Sequence, residues 1–141
     1  MIGRSKLIEQ CIIKYALNGE AISAGSTTAH VSAAIDRKGY NSLYIGLQQI
    51  GATGVNTAHY TTVHVYEETT NTGTYTVLNS ATDTISSTFT TSSAQTAGEF
   101  VDLTGHERYI KLYITPNAAV SNTVTVSLAA ILGDAINEPA T

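Results

Sequence analysis

Several residue types are scarce in this sequence, and each shortage excludes a class of protein. Cys11 is the one cysteine, so an intrachain disulfide and a multi-cysteine metal site are both excluded. Free cysteines are usually buried, and we expect Cys11 to lie in the interior. No apolar run approaches the roughly 20 residues of a membrane-spanning helix, so we expect no membrane partner.

Charged residues are also scarce, since they make up 13% of the chain against roughly a quarter in an ordinary globular domain. The formal net charge is −4, and the few lysines and arginines are scattered along the chain. The sequence therefore lacks the positive field that holds phosphates, and we expect no nucleic-acid partner. Thr, Ser, Asn and Gln must therefore make up most of the polar surface. Among them Thr is β-branched and favours strands.

The apolar residues that are present alternate with polar ones, most clearly in two segments between residues 100 and 134. In the first segment one face carries Arg108, Ile110, Leu112 and Ile114, and the other carries Tyr109, Lys111, Tyr113 and Thr115. In the second segment one face carries Val124, Val126, Leu128, Ala130 and Leu132, and the other carries Thr123, Thr125 and Ser127. Alternation with this period predicts half-buried strands. We expect two long neighbouring strands about which the other strands assemble.

Shorter segments repeat the pattern. Strands are predicted at residues 28–35, 40–50, 59–68, 74–78 and 82–90, and residues 92–98 are predicted to form an exposed loop. In the first of these strands we expect Val31, Ala33 and Ile35 to point inward. Residues 5–17 fit both a helical and a strand period, and a strand from about Glu9 onward is favoured because the rest of the chain is β.

About eight to ten short strands separated by turns predict an all-β protein, an antiparallel β-sandwich or jelly roll, with a possible N-terminal arm or short helix. The sandwich domain is expected at residues 19–135. It is preceded by an N-terminal arm or first strand at residues 1–18 and followed by a C-terminal tail at residues 136–141. Residues 1–6 lack the pattern of a signal peptide, so we expect synthesis in the cytoplasm.

No residues of the sequence have the spacing of a catalytic, cofactor or metal site. The histidines have no ligand neighbours at the required spacing: His30, His59, His64 and His106. The adjacent Glu67 and Glu68 are interpreted as a solvated strand edge. No nucleophile or phosphate-loop motif is present. We therefore expect no enzyme activity, no cofactor and no metal.

Four tyrosines are expected to point outward from their strands: Tyr44, Tyr66, Tyr109 and Tyr113. Tyrosine is enriched at protein interfaces, which makes these side chains candidates for a protein-binding surface. The alternative is that some of them fill a second layer of the sandwich, and the sequence leaves both interpretations open.

Three segments, taken in order, carry a resemblance to a known family: AIDRKGY at residues 34–40, LTGHERYIK at residues 103–111 and AAILGDA at residues 129–135. They resemble the head decoration, or cement, proteins of tailed bacteriophages, which are small β-sandwiches. The resemblance covers roughly residues 27–139.

This resemblance implies a structural virion protein, not an enzyme, that binds the outer surface of the assembled capsid and stabilises it. The implied partners are the major capsid protein and further copies of the chain, in a dimer or trimer. The implied location is the capsid surface, after synthesis in the host cytoplasm. The alternatives are a phage tail or adaptor component and a carbohydrate-binding module, and the absence of tryptophan counts against the latter.

Overall fold

The computed structural model of this protein describes residues 11–23, 25–50, 59–78, 84–89, 95–116 and 123–135. These residues form ten strands: β1 (Ile12–Ile22), β2 (His30–Val31), β3 (Ile35–Asp36), β4 (Tyr40–Ile50), β5 (His59–Glu68), β6 (Thr76–Val77), β7 (Thr84–Phe89), β8 (Gln95–Asp102), β9 (Tyr109–Pro116) and β10 (Val124–Ala135). The described part of the chain has no helix long and apolar enough to cross a membrane. The predicted all-β class is confirmed, and residues 12–17 are strand.

The strands form two antiparallel sheets. Sheet A has the order β1-β10-β4-β8, and sheet B has the order β2-β9-β5-β6, with β3 also paired to β9 and β7 also paired to β5. The short strands β2 and β3 pair with successive parts of β9, and β6 and β7 pair with successive parts of β5. Sheet B is therefore four strands across, although it contains six strands. The chain passes back and forth between the sheets, and this strand order is that of a jelly-roll sandwich.

Strands β9 and β10, which were expected to be neighbours, lie in different sheets. Each is a central strand of its own sheet, and both contribute their apolar faces to one core. The residues of these two strands that are fully shielded from solvent are Ile110, Leu112, Ile114, Val126, Leu128, Ala130 and Leu132. Burial of each larger aliphatic side chain stabilises the fold by about 1.5–3 kcal/mol. The expected alternation is therefore correct within the two strands, but Arg108, which was expected on the same face, precedes β9 and is exposed. The expectation that the two strands are neighbours is wrong.

A bulge separates β2 from β3 and reverses the alternation of the strand. Val31 pairs with Tyr113 and Ile35 pairs with Ile110, so four steps along this strand match three steps along β9. The extra residue turns Val31 outward, where it is 41% exposed, and buries Ser32. The inward positions expected for Val31 and Ala33 are wrong, because both are exposed, while Ile35 is buried as expected.

The edge strands of sheet A, β1 and β8, carry charges where alternation points toward the core. Lys14 pairs with Ala130, and Glu99 pairs with Ile45, yet both charged residues are exposed. A charge on the core side of an edge strand discourages another strand from pairing there. Both open edges of sheet A are therefore protected against strand addition.

Two further expectations are corrected by the position of residues at these edges. Residues 95–98 belong to β8 and not to an exposed loop, and residues 92–94 lie outside the described part of the chain. Cys11 is exposed, because it directly precedes the edge strand β1 on the outward side. Free cysteines favour the interior, but no residue of the described part of the chain covers this outward position beside an edge strand.

Candidate functional site

The four tyrosines predicted to point outward do so, but they lie on opposite sides of the sandwich. Tyr44 is on the outer face of sheet A, while Tyr66, Tyr109 and Tyr113 are on the outer face of sheet B. All four are half-buried. The structure therefore brings three of them together and separates the fourth.

On sheet B the tyrosines form a surface that we call the tyrosine face: Tyr66, Tyr75, Tyr109, Tyr113 and Lys111. The rings of Tyr66 and Tyr113 have their centroids 4.0 Å apart at an interplanar angle of 32°. Lys111 places its Nζ 4.3 Å from the ring centroid of Tyr75, a cation–π distance. Burial raises the pKa of Tyr75, and the nearby Glu68 adds to this effect. Tyr75 was missed because it follows a turn and belongs to no long alternating segment.

Charges of both signs border the tyrosine face. Arg108 stacks over Tyr109 with its guanidinium carbon 5.0 Å from the ring centroid. It also donates to both carboxylate oxygens of Asp36, at 3.0 and 2.6 Å, and this bonding lowers the pKa of Asp36. Glu68 accepts hydrogen bonds from the backbone and hydroxyl of Thr69, which lower its pKa. A rigid aromatic centre with a polar, charged border is typical of a surface that binds another protein.

The outer face of sheet A is different in character. Its middle is an apolar ridge made of four residues that lie directly opposite one another on β1, β10, β4 and β8: Ile13, Ile131, Tyr44 and Phe100. Phe100 is 75% exposed and Ile13 is 59% exposed. The rings of Tyr44 and Phe100 are 4.7 Å apart between centroids. The ridge was not predicted from the sequence because its members come from four distant strands.

Next to the ridge runs a row of mostly small residues, the glycine row: Tyr15, Ala129, Gly46 and Gly98. The Tyr44 ring leans over Gly98 so closely that a Cβ atom there would overlap the Tyr44 hydroxyl. Beyond the ring is a recess of about 440 Å³, floored by the two glycines and bounded by Gln48 and Thr96. We call the ridge and the glycine row together the apolar face.

Two histidines of the described chain lie against glutamates. Nδ1 of His106 lies 3.1 Å from Oε2 of Glu67, and the same carboxylate oxygen accepts from the backbone N–H of Glu107 at 2.8 Å. Because β5 is a central strand, the interpretation of Glu67 as part of a solvated edge is wrong. Nδ1 of His30 lies 3.1 Å from Oε1 of Glu20.

A metal centre is not found in the described part of the chain, where no three His, Cys, Asp or Glu side chains come together. The side chain of His59 lies outside the described residues, so the expectation that it has no ligand neighbours stays a prediction.

Known proteins share the fold of this chain but not its sequence. No family model and no curated protein matches it. The PBSX exported protein XepA superposes with a TM-score of 0.56 at 13% identity, covering 92% of this chain and 39% of that one. A chain of infectious bursal disease virus, Gx strain, gives 0.56 at 12% identity, covering 92% and 33%. The N-terminal cellulose-binding domain of Cellulomonas fimi β-1,4-glucanase C gives 0.50 at 12% identity, covering 93% and 91%.

The present chain thus spans less than half the length of the first two similar proteins. At such low identity the likeness shows a common antiparallel β-sandwich, and a sandwich serves many functions.

Proposed function

We propose that this protein is a structural component of a phage virion that binds the outer surface of the assembled capsid and stabilises it. The observation that carries the proposal is the tyrosine face of sheet B. Its stacked Tyr66 and Tyr113 offer a large, rigid contact area, and the hydroxyl groups supply hydrogen bonds at the rim. The neighbouring Lys111 and Arg108 give it charges that can pair with carboxylates of a capsid subunit.

The resemblance to head decoration proteins gains support from where its segments lie. Arg37, in the first segment, donates from Nε to the backbone oxygen of Glu107, in the second, at 2.6 Å. The third segment lies in β10, which pairs with β4 immediately after the first segment. The three segments are thus parts of one connected unit.

Capsid stabilisation follows from mass action. A protein that binds the expanded lattice but not its unexpanded precursor stabilises the expanded form by the free energy of binding. This role needs no catalytic group, cofactor or metal.

Co-sedimentation with capsids tests the proposal. We expect the purified protein to bind expanded, undecorated heads of its presumed phage saturably, at a fixed ratio to the major capsid protein, and not to bind unexpanded heads. The double variant Tyr66→Ser/Tyr113→Ser should lose this binding while it keeps its fold. A well-folded wild-type protein that binds neither kind of head would overturn the proposal and favour a tail or adaptor component.

A matched pair of charge reversals tests whether the tyrosine face is the surface that binds the capsid. Lys111 lies on the tyrosine face, whereas Lys38 lies in the exposed turn before β4. Lys111→Glu should weaken head binding by at least about tenfold, as for a central interface residue, while Lys38→Glu leaves it unchanged. Equal effects would mean that general charge, and not the tyrosine face, governs binding.

A carbohydrate-binding module is the second candidate, favoured by the exposed aromatic rings of Tyr15 and Phe100, which are 78% and 75% exposed. Sugar rings stack on such side chains, and the similar Cellulomonas fimi domain is described as cellulose-binding. Retention of the wild-type protein on cellulose, abolished by Phe100→Ser, would favour this candidate over capsid binding.

A further inference from the structure

We infer that the apolar face of sheet A binds the same face of a second copy of this chain, in a dimer with a two-fold axis lying in the contact plane. The inference concerns the opposite side of the molecule from the tyrosine face and does not rest on the proposed function.

The first argument is exposure. Ile13, Tyr15 and Phe100 are 59%, 78% and 75% exposed, and these three belong to one face. They are continuous with the half-buried Ile131 and Tyr44 across all four strands of the sheet. Contiguous apolar surface of this kind marks an interaction site, whereas scattered exposed side chains do not.

The second argument is the shape of the face. The apolar ridge and the glycine row run side by side across the strands. A two-fold axis parallel to them and midway between them brings the ridge of each copy over the glycine row of the other. Ile131 then faces Ala129 of the partner copy, and Tyr44 faces its Gly46. Large residues thus meet small ones on β10 and β4, whereas on β1 Ile13 of each copy packs against Tyr15 of the other, and the contact is isologous.

The third argument is charge. In the ridge, the glycine row and the two rows that flank them, Asp102 is the one charged residue among the described outward positions. It lies at the corner of the sheet, and its carboxylate accepts the backbone N–H of Thr104 at 2.8 Å. Two identical faces repel each other if they carry one sign of charge, so an uncharged face fits a second copy better than a charged partner.

The fourth argument is size. Four strands about 4.8 Å apart, over about 30 Å of strand length, make a face of roughly 570 Å². Two such faces bury roughly 1,100 Å² or more when stacked, which reaches the lower limit of a specific protein interface. Association through the edge strands of sheet A is disfavoured, because the charged Lys14 on β1 and Glu99 on β8 discourage another strand from pairing there.

Gly46 allows a test that leaves the fold of each copy intact. Its backbone has no positive φ, and a Cβ atom there would lie 3.8 Å from Cε1 of Tyr44, an ordinary contact distance. Gly46→Glu therefore places a charged side chain in the contact, and its Cβ atom fits inside one copy. Gly98 does not offer this, because a side chain there displaces Tyr44. Thr62→Glu, outward on the middle of β5 in sheet B, is the matched control.

The mass of the full chain is measured by sedimentation velocity over a range of concentrations. We expect the wild-type protein and Thr62→Glu to show twice the 14.9 kDa of one chain, and Gly46→Glu to sediment as a monomer with an unchanged urea midpoint. Phe100→Ser should raise the dissociation constant by at least about tenfold.

Three results would overturn the inference. The first is a wild-type monomer at every concentration, and the second is a trimer, which an isologous contact does not build. The third is a dimer that survives Gly46→Glu but dissociates with Lys14→Glu, because that outcome places the contact at the strand edges. Since no capsid is present in this experiment, its failure is distinct from a failure of the proposed function.

Discussion

Arg37 and Arg108 lie on adjoining parts of the structure and have opposite environments. Arg37 is 8% exposed and donates hydrogen bonds to three backbone carbonyl oxygens, those of Tyr40, His106 and Glu107. Arg108 is exposed and forms its ion pair with the exposed Asp36. Arg37 therefore joins the turn before β4 to the turn before β9, whereas Arg108 lies on the surface.

We expect Arg37→Met to destabilise the fold by about 3 kcal/mol, because it leaves three partly buried carbonyl groups without the donors of Arg37. Arg108→Met should have a much smaller effect, since exposed ion pairs contribute little. Urea denaturation of the two variants measures the difference. Equal losses of stability would show that Arg37 does not hold the two turns together.

Three carboxylates with a lowered pKa predict the response to acid, those of Asp36, Asp102 and the already described Glu68. Hydrogen bonding from Arg108 lowers the pKa of Asp36, and hydrogen bonding from Thr104 lowers the pKa of Asp102. A group whose pKa is lowered by folding stabilises the fold above its unfolded pKa of about 4, and this contribution is lost as the pH falls through the folded value. The urea midpoint should therefore fall as the pH is lowered from about 5 to about 2.

Asp102→Asn provides the control for this prediction. Its side-chain oxygen can still accept the N–H of Thr104 but cannot titrate, so the midpoint of the variant should depend less on pH than that of the wild-type protein. A wild-type midpoint that stays constant or rises on acidification would contradict the expected sign.

At the scale of the strand, the bulge between β2 and β3 depends on one hydroxyl group. The backbone N–H of Ser32 donates to the carbonyl oxygen of Leu112, and Oγ of Ser32 accepts from the backbone N–H of Leu112, each at 3.0 Å. Oγ also donates to the carbonyl oxygen of Ala33 at 2.8 Å. The side chain thus takes the place of the backbone acceptor that the bulge removes from the ladder.

Ser32→Ala should destabilise the protein by about 1–3 kcal/mol, because the buried N–H of Leu112 loses its acceptor. Urea denaturation measures the loss, and faster hydrogen exchange at Leu112 locates it. Ser26→Ala is the matched control, since Oγ of Ser26 accepts from the backbone N–H of Thr28 at an exposed position. An unchanged stability for Ser32→Ala would mean that water satisfies the ladder at the bulge.

Alternation predicted β4, β9 and β10 because each is one uninterrupted strand with a single buried side, as the inward Leu43 and Ile45 illustrate. It failed between β2 and β3, where the bulge inverts the alternation without any glycine or proline to mark it. It also failed at Gly98, which looks like a loop residue in the sequence. There a side chain would displace the ring of Tyr44, which covers the strand.

The candidate surfaces were only partly predictable. The outward direction of Tyr66 and Tyr113 follows from the period of each strand, but their stacking depends on the pairing of β5 with β9. The ridge depends on the register of four strands drawn from both ends of the chain. Ile13 and Phe100 look like ordinary core residues until that register is known, so no local pattern distinguishes them.

At the scale of the whole molecule, the two proposals together determine the geometry of binding. If sheets A of two copies are stacked face to face, their sheets B lie on the far sides of the dimer, and the two tyrosine faces point in opposite directions. Such a dimer cannot lay both tyrosine faces on one flat surface. It can bridge two capsid surfaces that face each other, such as the flanks of neighbouring capsomers.

Bridging raises the effective concentration of the second tyrosine face, so the dimer should bind expanded heads about 10²-fold or more tightly than one copy. Gly46→Glu, which removes the dimer, should therefore bind expanded heads that much more weakly, with its tyrosine face unchanged. Tyr66→Ser/Tyr113→Ser should show the converse, a stable dimer that does not bind. Titration of heads with each variant, followed by co-sedimentation, measures both. Equal affinity of Gly46→Glu and the wild-type protein would mean that each copy binds the capsid singly, and the dimer would then have no part in capsid binding.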